Sequence, residues 1–360
     1  MTSPRKRLHI ADIAKLSGVS SATVSRVMNG SRPVSPELRE RVLVVAKRFD
    51  YQPSQLARNL RLGRTATVGV LVSDVENPHF SSLIKYLEES LFRRGTRVLF
   101  CNTEEDPRKQ SAYLDVMAAE RVMGVVISPA AFGDQEVTGL MDLGIPVVAI
   151  DRPLSDPRAD LVVSDNAEAV TAGTNLLIDA GCRHIGLIGG REGVWTTSER
   201  LEGYLSALSP LGLTPHAKLR EFTVEMGYRA AAELLDEVPD LDGLVAANNQ
   251  MTIGALRLLR DRKVVVPDQL KIVAFDDPPW ADLVEVPMTT IAQPIQAMAE
   301  AAVSQLFKRI AEPTLPPERI VLACRLKVRE SSGPASARSA VQPDIEAGLA
   351  LERAPTPSPK

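Results

Sequence analysis

Ser21, Ala22, Ser25 and Arg26 lie within one short stretch, IADIAKLSGVSSATVSRVMNG, from Ile10 to Gly30. A helix that shows small side chains and one arginine from its first turns can enter a major groove. Signatures of catalysis are missing. The chain has no GxxxxGK[ST], no GxGxxG after a strand and no GxSxG, and Gly189-Gly190 reads as a turn after a strand, not a phosphate loop. Cys101, Cys182 and Cys324 are far apart, as are His9, His79, His184 and His216, and none has metal or redox spacing. The reading is therefore of a binding protein, not an enzyme, with no metal and no cofactor. Its thiols are structural and fit a reducing cytoplasm.

The reading side chains need helices to carry them. Ile10, Ile13, Ala14 and Leu16 give a first helix one apolar face. Gly18 supplies the left-handed residue at its end, Val19 plugs the corner, and the Ser20 hydroxyl caps a second helix. Val24 and Val27 then face inward, which leaves Ser21, Ala22, Ser25 and Arg26 outward. This is the pattern of a helix-turn-helix, and equally of an ordinary helical hairpin inside a larger core. SPEL, Ser35 to Leu38, starts a third helix with Pro36 in its first position, and Leu38, Val42, Val45 and Phe49 form its apolar stripe.

Charge separates the two readings. Residues 1 to 64 hold 13 Lys+Arg and 4 Asp+Glu, a net of +9, whereas the whole chain of 360 residues carries −3. A basic module on an acidic body assigns contact with a polyanion to the N-terminal piece. Between Tyr51 and Thr65 the sequence YQPSQLARNLRLGRT leaves Gln55 to Leu60 only a turn or two of helix, too short to stand alone in water. Leu56 and Leu60 lie four apart there, among Arg58, Arg61 and Arg64. The segment reads either as one that orders on binding or as a solvated basic linker.

From Ala66 the pattern is α/β. Apolar runs at 67–72, 97–102, 124–128 and 146–150 alternate with helical stretches near 79–94, 108–120 and 134–143. A second series places strands at 162–164, 185–189, 243–247 and 271–277, with helices near 167–181, 197–208, 226–237 and 250–262. Continuous apolar strands alternating with helices mean parallel sheets covered on both faces, and eight such strands divide into two lobes. Ligands in such folds bind at the carboxyl ends of the strands. No run approaches the ~20 apolar residues a membrane span needs, and no apolar run follows Arg5, Lys6 and Arg7 as in a secretory signal. From Ser331 the tail is rich in Pro, Ser and Ala and is expected to be disordered.

Several separate motifs then occur in a fixed order: DIAKLSGVSSATVSRVMNG, VSPELRERVLVVAKRFDYQPSQLARNL, DVENPHF, CNTEEDPRKQ, IPVVAIDRP, SDN, GCRHIGLIGG, TSERLEGY, AANNQMTIGAL, VAFDD and PMTTIAQP. Over roughly residues 8 to 333 the chain resembles the LacI/GalR family of bacterial transcription repressors. The resemblance implies a three-helix DNA-binding domain over 1–51, a hinge helix and linker over 52–65, and a two-lobe, periplasmic-binding-protein-like effector-binding and dimerisation domain over 66–333. Lobe 1 would take 66–162 and 293–322, lobe 2 would take 163–292 and 323–333, and 334–360 is the tail.

The resemblance also implies roles for residues. Ser20, Ser21, Ala22, Thr23, Ser25, Arg26 and Asn29 would meet operator DNA, with Arg58 and Leu60 in the hinge, Leu60 as a wedge between base pairs of the minor groove. Asp151, Arg200, Asn248 and Asp276 would bind the effector, joined by Asp74 and by Phe80 and Trp195 as flat apolar walls. Each has a plainer structural reading: an aspartate or asparagine that caps a helix, an arginine paired with a surface acid, an aromatic ring that packs on a lobe. Asn249 departs from the aspartate common in the family. The implied protein is a cytoplasmic homodimer on a near-palindromic operator, controlled by a sugar or sugar acid. A purine-type co-repressor-dependent regulator is the alternative. A solute-binding protein is a further alternative, against which residues 1 to 64 argue.

Overall fold

The computed structural model describes residues 10–29, 34–49, 51, 65–130, 134–333 and 350–352. The chain divides into two compact units, Met1–Thr65 and Ala66–Lys360.

In the first unit, helices α1 (Ile10–Ser17), α2 (Ser21–Asn29) and α3 (Pro36–Arg48) close around Ile13, Ala14, Val24, Val27 and Val42, with Val19, Val34, Val45 and Tyr51 half-buried beside them. The apolar face of α1 differs from the expected one. Leu16 is 51% exposed, while Ser17 turns inward and donates its hydroxyl to the Ile13 carbonyl at 2.6 Å. Positions 13, 14 and 17 share a helical face; position 16 lies about a quarter-turn off it. Phe49, expected on the α3 stripe, is likewise exposed, and Ala46 is buried in its place.

In the second unit, β1 (Thr67–Val72), α4 (Pro78–Phe92), β2 (Arg97–Asn102), α5 (Pro107–Ala119), β3 (Gly124–Ile127), α6 (Gln135–Asp142), β4 (Val147–Ile150) and β5 (Asp160–Ser164) build one lobe. The chain then crosses to a second lobe: α7 (Asn166–Asp179), β6 (Ile185–Gly189), α8 (Trp195–Leu208), β7 (His216–Leu219), α9 (Val224–Glu237), β8 (Gly243–Ala246), α10 (Asn249–Arg262), β9 (Lys271–Phe275) and β10 (Thr289–Ala292). It returns for α11 (Ile295–Ala311) and β11 (Arg319–Leu322) and crosses once more for β12 (Arg325–Lys327).

The sheet orders are β13-β11-β5-β4-β3-β1-β2 and β12-β10-β9-β8-β6-β7, with β13 at Ala350–Glu352. Pairing is parallel except for β12 on β10 and β13 on β11. β5 lies wholly in the first sheet, so the first crossing falls after Ser164, two residues beyond the expected boundary. Within the tail expected to be disordered, Ala350–Glu352 pairs with β11, which would otherwise present an edge of unpaired backbone groups.

Apolar strands explain the rest. β1, β3, β4, β6, β8 and β9 are buried over almost their whole length and covered by helices on both faces. β7, β10, β11 and β12 are short, and β7 and β12 are only partly buried, so apolar runs alone do not announce them. Among the described residues no helix is long and apolar enough to cross a membrane.

Candidate DNA interface and effector cleft

The first unit carries one candidate interface. Gly18 adopts φ +66°, the left-handed backbone that glycine takes without cost. Arg41 on α3 donates Nη2 to the Ser17 carbonyl at 2.8 Å and so pins the turn. Ser20 Oγ accepts from the Thr23 backbone N–H at 3.1 Å and pairs with Thr23 Oγ1 at 2.9 Å, which caps α2. Both hydroxyls are thereby engaged within the turn. Ser21, Ala22 and Arg26 are exposed on one side of α2, Ser25 is half-buried beside them, and Asn29 ends the helix. Arg58 and Leu60, with Leu56, lie outside the described residues.

The second unit gathers polar side chains at the carboxyl ends of its two sheets. Asp151 follows β4 with φ 70°, and Asp276 follows β9 with φ 73°. Left-handed backbone at two non-glycine residues is a marked cost, which the surrounding structure must impose. Both carboxylates are buried and lie 3.7 Å from His79, Asp151 Oδ1 from Nε2 and Asp276 Oδ1 from Nδ1. His79 comes from α4, whose N-terminus faces the cleft because Asn77 caps it and Pro78 opens it.

Arg200, one turn into α8, is held flat on the Phe275 ring, 3.7 Å from its centroid. Its Nε donates to Asn166 Oδ1 at 2.8 Å and its Nη1 to the Ala247 carbonyl at 2.6 Å. Burial pushes this guanidinium below its ordinary value, and the charges of Asp276 and Asp151 oppose that. The arginine is therefore a fixed buried cation with its Nη2 edge left over. Arg152 shows the opposite balance. Burial lowers it, but Glu105 and Asp151 outweigh burial and hold it above its ordinary value; Nη2 lies 2.8 Å from Glu105 Oε1.

The cleft is bridged. Gln293, at the second crossing, donates Nε2 to Asp276 Oδ1 at 2.7 Å, approaches His79 Nδ1 at 3.2 Å, and accepts from Ser164 Oγ at 2.8 Å. Asn249 on α10 donates Nδ2 to Asn77 Oδ1 across the gap at 3.0 Å and to Asp276 Oδ2 at 3.2 Å. The departure from the family's aspartate thus has a visible use: a second carboxylate facing Asp276 would repel it, whereas the amide donates to it.

Asp151, Arg200 and Asp276, singled out from the sequence, share this buried point. Asn248 lies beside it, but its Oδ1 is occupied as the cap of α10, accepting from Gln250 and Met251 N–H at 2.7 and 3.3 Å. Asp74 occupies the turn after β1, where its Oδ1 accepts from Glu76 N–H at 2.9 Å, and burial raises its carboxyl above the usual range. Phe80, expected as a wall, is buried in the first lobe's core with Leu83, Leu87 and Met298 and meets the cleft only through an edge contact with His79. Trp195 opens α8 half-buried. Trp280 packs on the second lobe's core.

Asn77, His79, Arg152 and Gln293 were not singled out from the sequence. Asn-Pro ahead of the helical stretch, a cap with proline at the first helical position, was the available signal for the first two. Arg152 and Gln293 follow the ends of β4 and β10, where ligand-facing residues of such folds collect.

The comparisons agree with this fold. The family described as bacterial regulatory proteins, lacI family, matches residues 9–54, and the periplasmic binding protein-like domain matches residues 174–332. The chain is 32% identical to the ribose operon repressor of Halalkalibacterium halodurans, over 90% of this chain and 96% of that one. It is 30% identical to the HTH-type transcriptional repressor PurR of Mannheimia succiniciproducens, over 89% and 98%. Its fold is similar to that of the lac repressor dimer bound to operator and the anti-inducer ONPF, with TM-score 0.82 and 22% identity over 91% of this chain and all of that one. A capped helix-turn-helix, joined in one chain to a two-lobe α/β unit with its polar cluster at the strand ends, belongs to the LacI family of DNA-binding transcriptional regulators.

Proposed function

We propose that this protein is a homodimeric repressor of a sugar-responsive gene set, acting in the cytoplasm on a near-palindromic operator. Residues 8–64 of each subunit would meet one half-site, with Ser21, Ala22, Ser25 and Arg26 toward the bases and the segment around Arg58 and Leu60 toward the minor groove. A sugar bound between the lobes would release the operator. The observation that carries the effector half of this reading is the convergence on one buried point of Asp151 and His79 from one lobe with Asp276 and Arg200 from the other. Carboxylates and a guanidinium fixed in a cleft make paired hydrogen bonds to vicinal hydroxyls. A ligand held by both lobes binds their closed arrangement better than an open one. That difference in affinity is the whole of its leverage over DNA. The likeness to a ribose operon repressor supports a sugar as effector.

The test is fluorescence anisotropy of the full chain on the palindromic sequence upstream of its own gene, titrated with sugars. Release of operator by a sugar, lost in Arg200→Ala, is the expected result. Operator binding that no small molecule alters, or no preference for that DNA over random duplex, would overturn the reading.

A further inference from the structure

We infer that His79 is a specificity-determining residue of this cleft, donating its Nε2–H to a hydroxyl of an uncharged polyol, and that sugar acids and sugar phosphates are rejected there. The inference rests on the cleft being the effector site.

Three hydrogen bonds fix the imidazole's tautomer. Gln293 places one amide atom 2.7 Å from Asp276 Oδ1, a carboxylate oxygen that only accepts, so that atom is the nitrogen; it also faces His79 Nδ1 at 3.2 Å, while Oε1 meets the Ser164 hydroxyl. Nδ1 therefore accepts, and the proton sits on Nε2. Nε2 is buried and has no hydrogen-bond partner, and the nearest acidic oxygen, Asp151 Oδ1, is 3.7 Å away, beyond bonding reach. A hydroxyl oxygen about 2.8 Å from each would accept from Nε2–H and donate to Asp151, which closes that gap. A buried donor without a partner is costly, and a ligand hydroxyl would remove the cost.

The opposite wall carries a matching polar group. Asn249 Nδ2 is held by two oxygens, Asn77 Oδ1 and Asp276 Oδ2, so the amide cannot be turned round. Its Oδ1 is left buried without a donor. The cleft thus asks for a group that both accepts and donates at His79–Asp151, and for a donor at Asn249. Hydroxyls supply both roles; an ionised carboxylate or a phosphate dianion only accepts, so the charged end of a sugar acid or sugar phosphate can take neither place.

Charge points the same way. Around His79 stand Asp151 after β4, Asp276 after β9, Gln293 at the crossing and Asn77 on its own helix cap. Asp74 and Glu105 lie in the loops of the first lobe. Of the two cations, Arg152 is bonded to Glu105 and lies 3.4 Å from Asp151 through an Nε that makes no hydrogen bond, and Arg200 has its Nη2 edge over. At the N-termini of α4 and α10 the N–H groups of His79, Gln250 and Met251, which would otherwise attract an anion, already bond to Asn77 and Asn248. A ligand anion would meet more carboxylates than open cationic donors.

Isothermal titration calorimetry of the full chain tests this with D-ribose, D-xylose, D-glucose and D-galactose, the aldonates and phosphates of the same sugars, and hypoxanthine. At least one neutral sugar should bind at least about tenfold more tightly than its aldonate and its phosphate, the scale of one or two buried polar mismatches. His79→Leu should lose about tenfold or more for that sugar. His79→Gln, which restores an N–H donor, should recover part of the loss, a rescue that a purely structural role would not give. A folded His79→Leu, judged by circular dichroism, that binds as the wild type would overturn the assignment. So would tightest binding by an aldonate, a phosphate or hypoxanthine, or no binding by any neutral sugar. A sugar that binds without altering operator affinity would sink the proposed regulation and leave the present inference standing. Operator release by an aldonate would do the reverse.

Discussion

Asp151 and Asp276 are the residues whose placement was most legible in the sequence, and the reason is local. Each ends an apolar strand, so its place at a sheet's carboxyl edge is written in the run before it. Their left-handed backbone is visible only in the fold. His79 and Asn249 are less legible because their value lies in contacts with chain far away in sequence, Asn77 with Asn249 above all. Asn248 shows the converse, a side chain whose amide oxygen turns out to serve its own helix. Arg200→Ala removes a buried cation that holds Asn166 and the Ala247 carbonyl. Sugar-induced release, followed by anisotropy, should be lost, with apparent sugar affinity down by about 100-fold, as expected when a charged hydrogen bond of ~3 kcal/mol is removed. Arg26→Ala should cost about 1–3 kcal/mol of specific operator binding, the value of one bidentate base contact. It should leave binding to random duplex far less changed; equal loss on both DNAs would deny it a base-reading role.

At the scale of elements, the two sequence series of strands and helices survive almost intact, because long apolar strands and amphipathic helices carry their own periodicity. The short strands β7 and β12 were not legible: their pairing is dictated by neighbours already in place. Helix packing explains one glycine. At Gly203 of α8 a Cβ would lie 2.1 Å from the Ala167 carbonyl oxygen of α7, a backbone atom with no room to give. Gly203→Ala should therefore push the two helices apart and cost about 1–3 kcal/mol, the usual range for overpacking, read as a lower midpoint of thermal unfolding. Because α8 carries Arg200 and α7 carries Asn166, the same variant should weaken the response to sugar without touching the cleft directly. An unchanged response would show that the Arg200–Asn166 bond tolerates the shift.

For the whole molecule, acid sensitivity should run through Asp277. Burial alone would raise its carboxyl. Lys327, Thr290 and Arg329 outweigh that and hold it below the usual range; Arg329 Nη2 is 2.8 Å away. A carboxyl depressed in the folded state stabilises fully above its unfolded value and loses that contribution as pH falls through the folded one. Asp277→Asn should thus lower the thermal midpoint at pH 7, and the gap to wild type should shrink below about pH 4, where carboxylates take up protons. A gap that stays constant with pH would exclude the ion pairs as its source. The contacts tie β12 and the segment after it to the loop beyond β9, so the last crossing is fastened at its far end.

Three strands of chain pass between the lobes, after Ser164, around Gln293 and between Leu322 and Arg325. Like a door hung on three straps, the pair is free to swing but poorly able to slide or twist. Ser164 and Gln293 sit on the straps themselves, so their bond, and with it Gln293's hold on Asp276, can outlast the swing. Asn249 and Asn77 face each other across an unstrapped gap, and their bond, with the longer one from Gln250 Nε2 to the Glu76 carbonyl beside it, is a latch that any opening must lift.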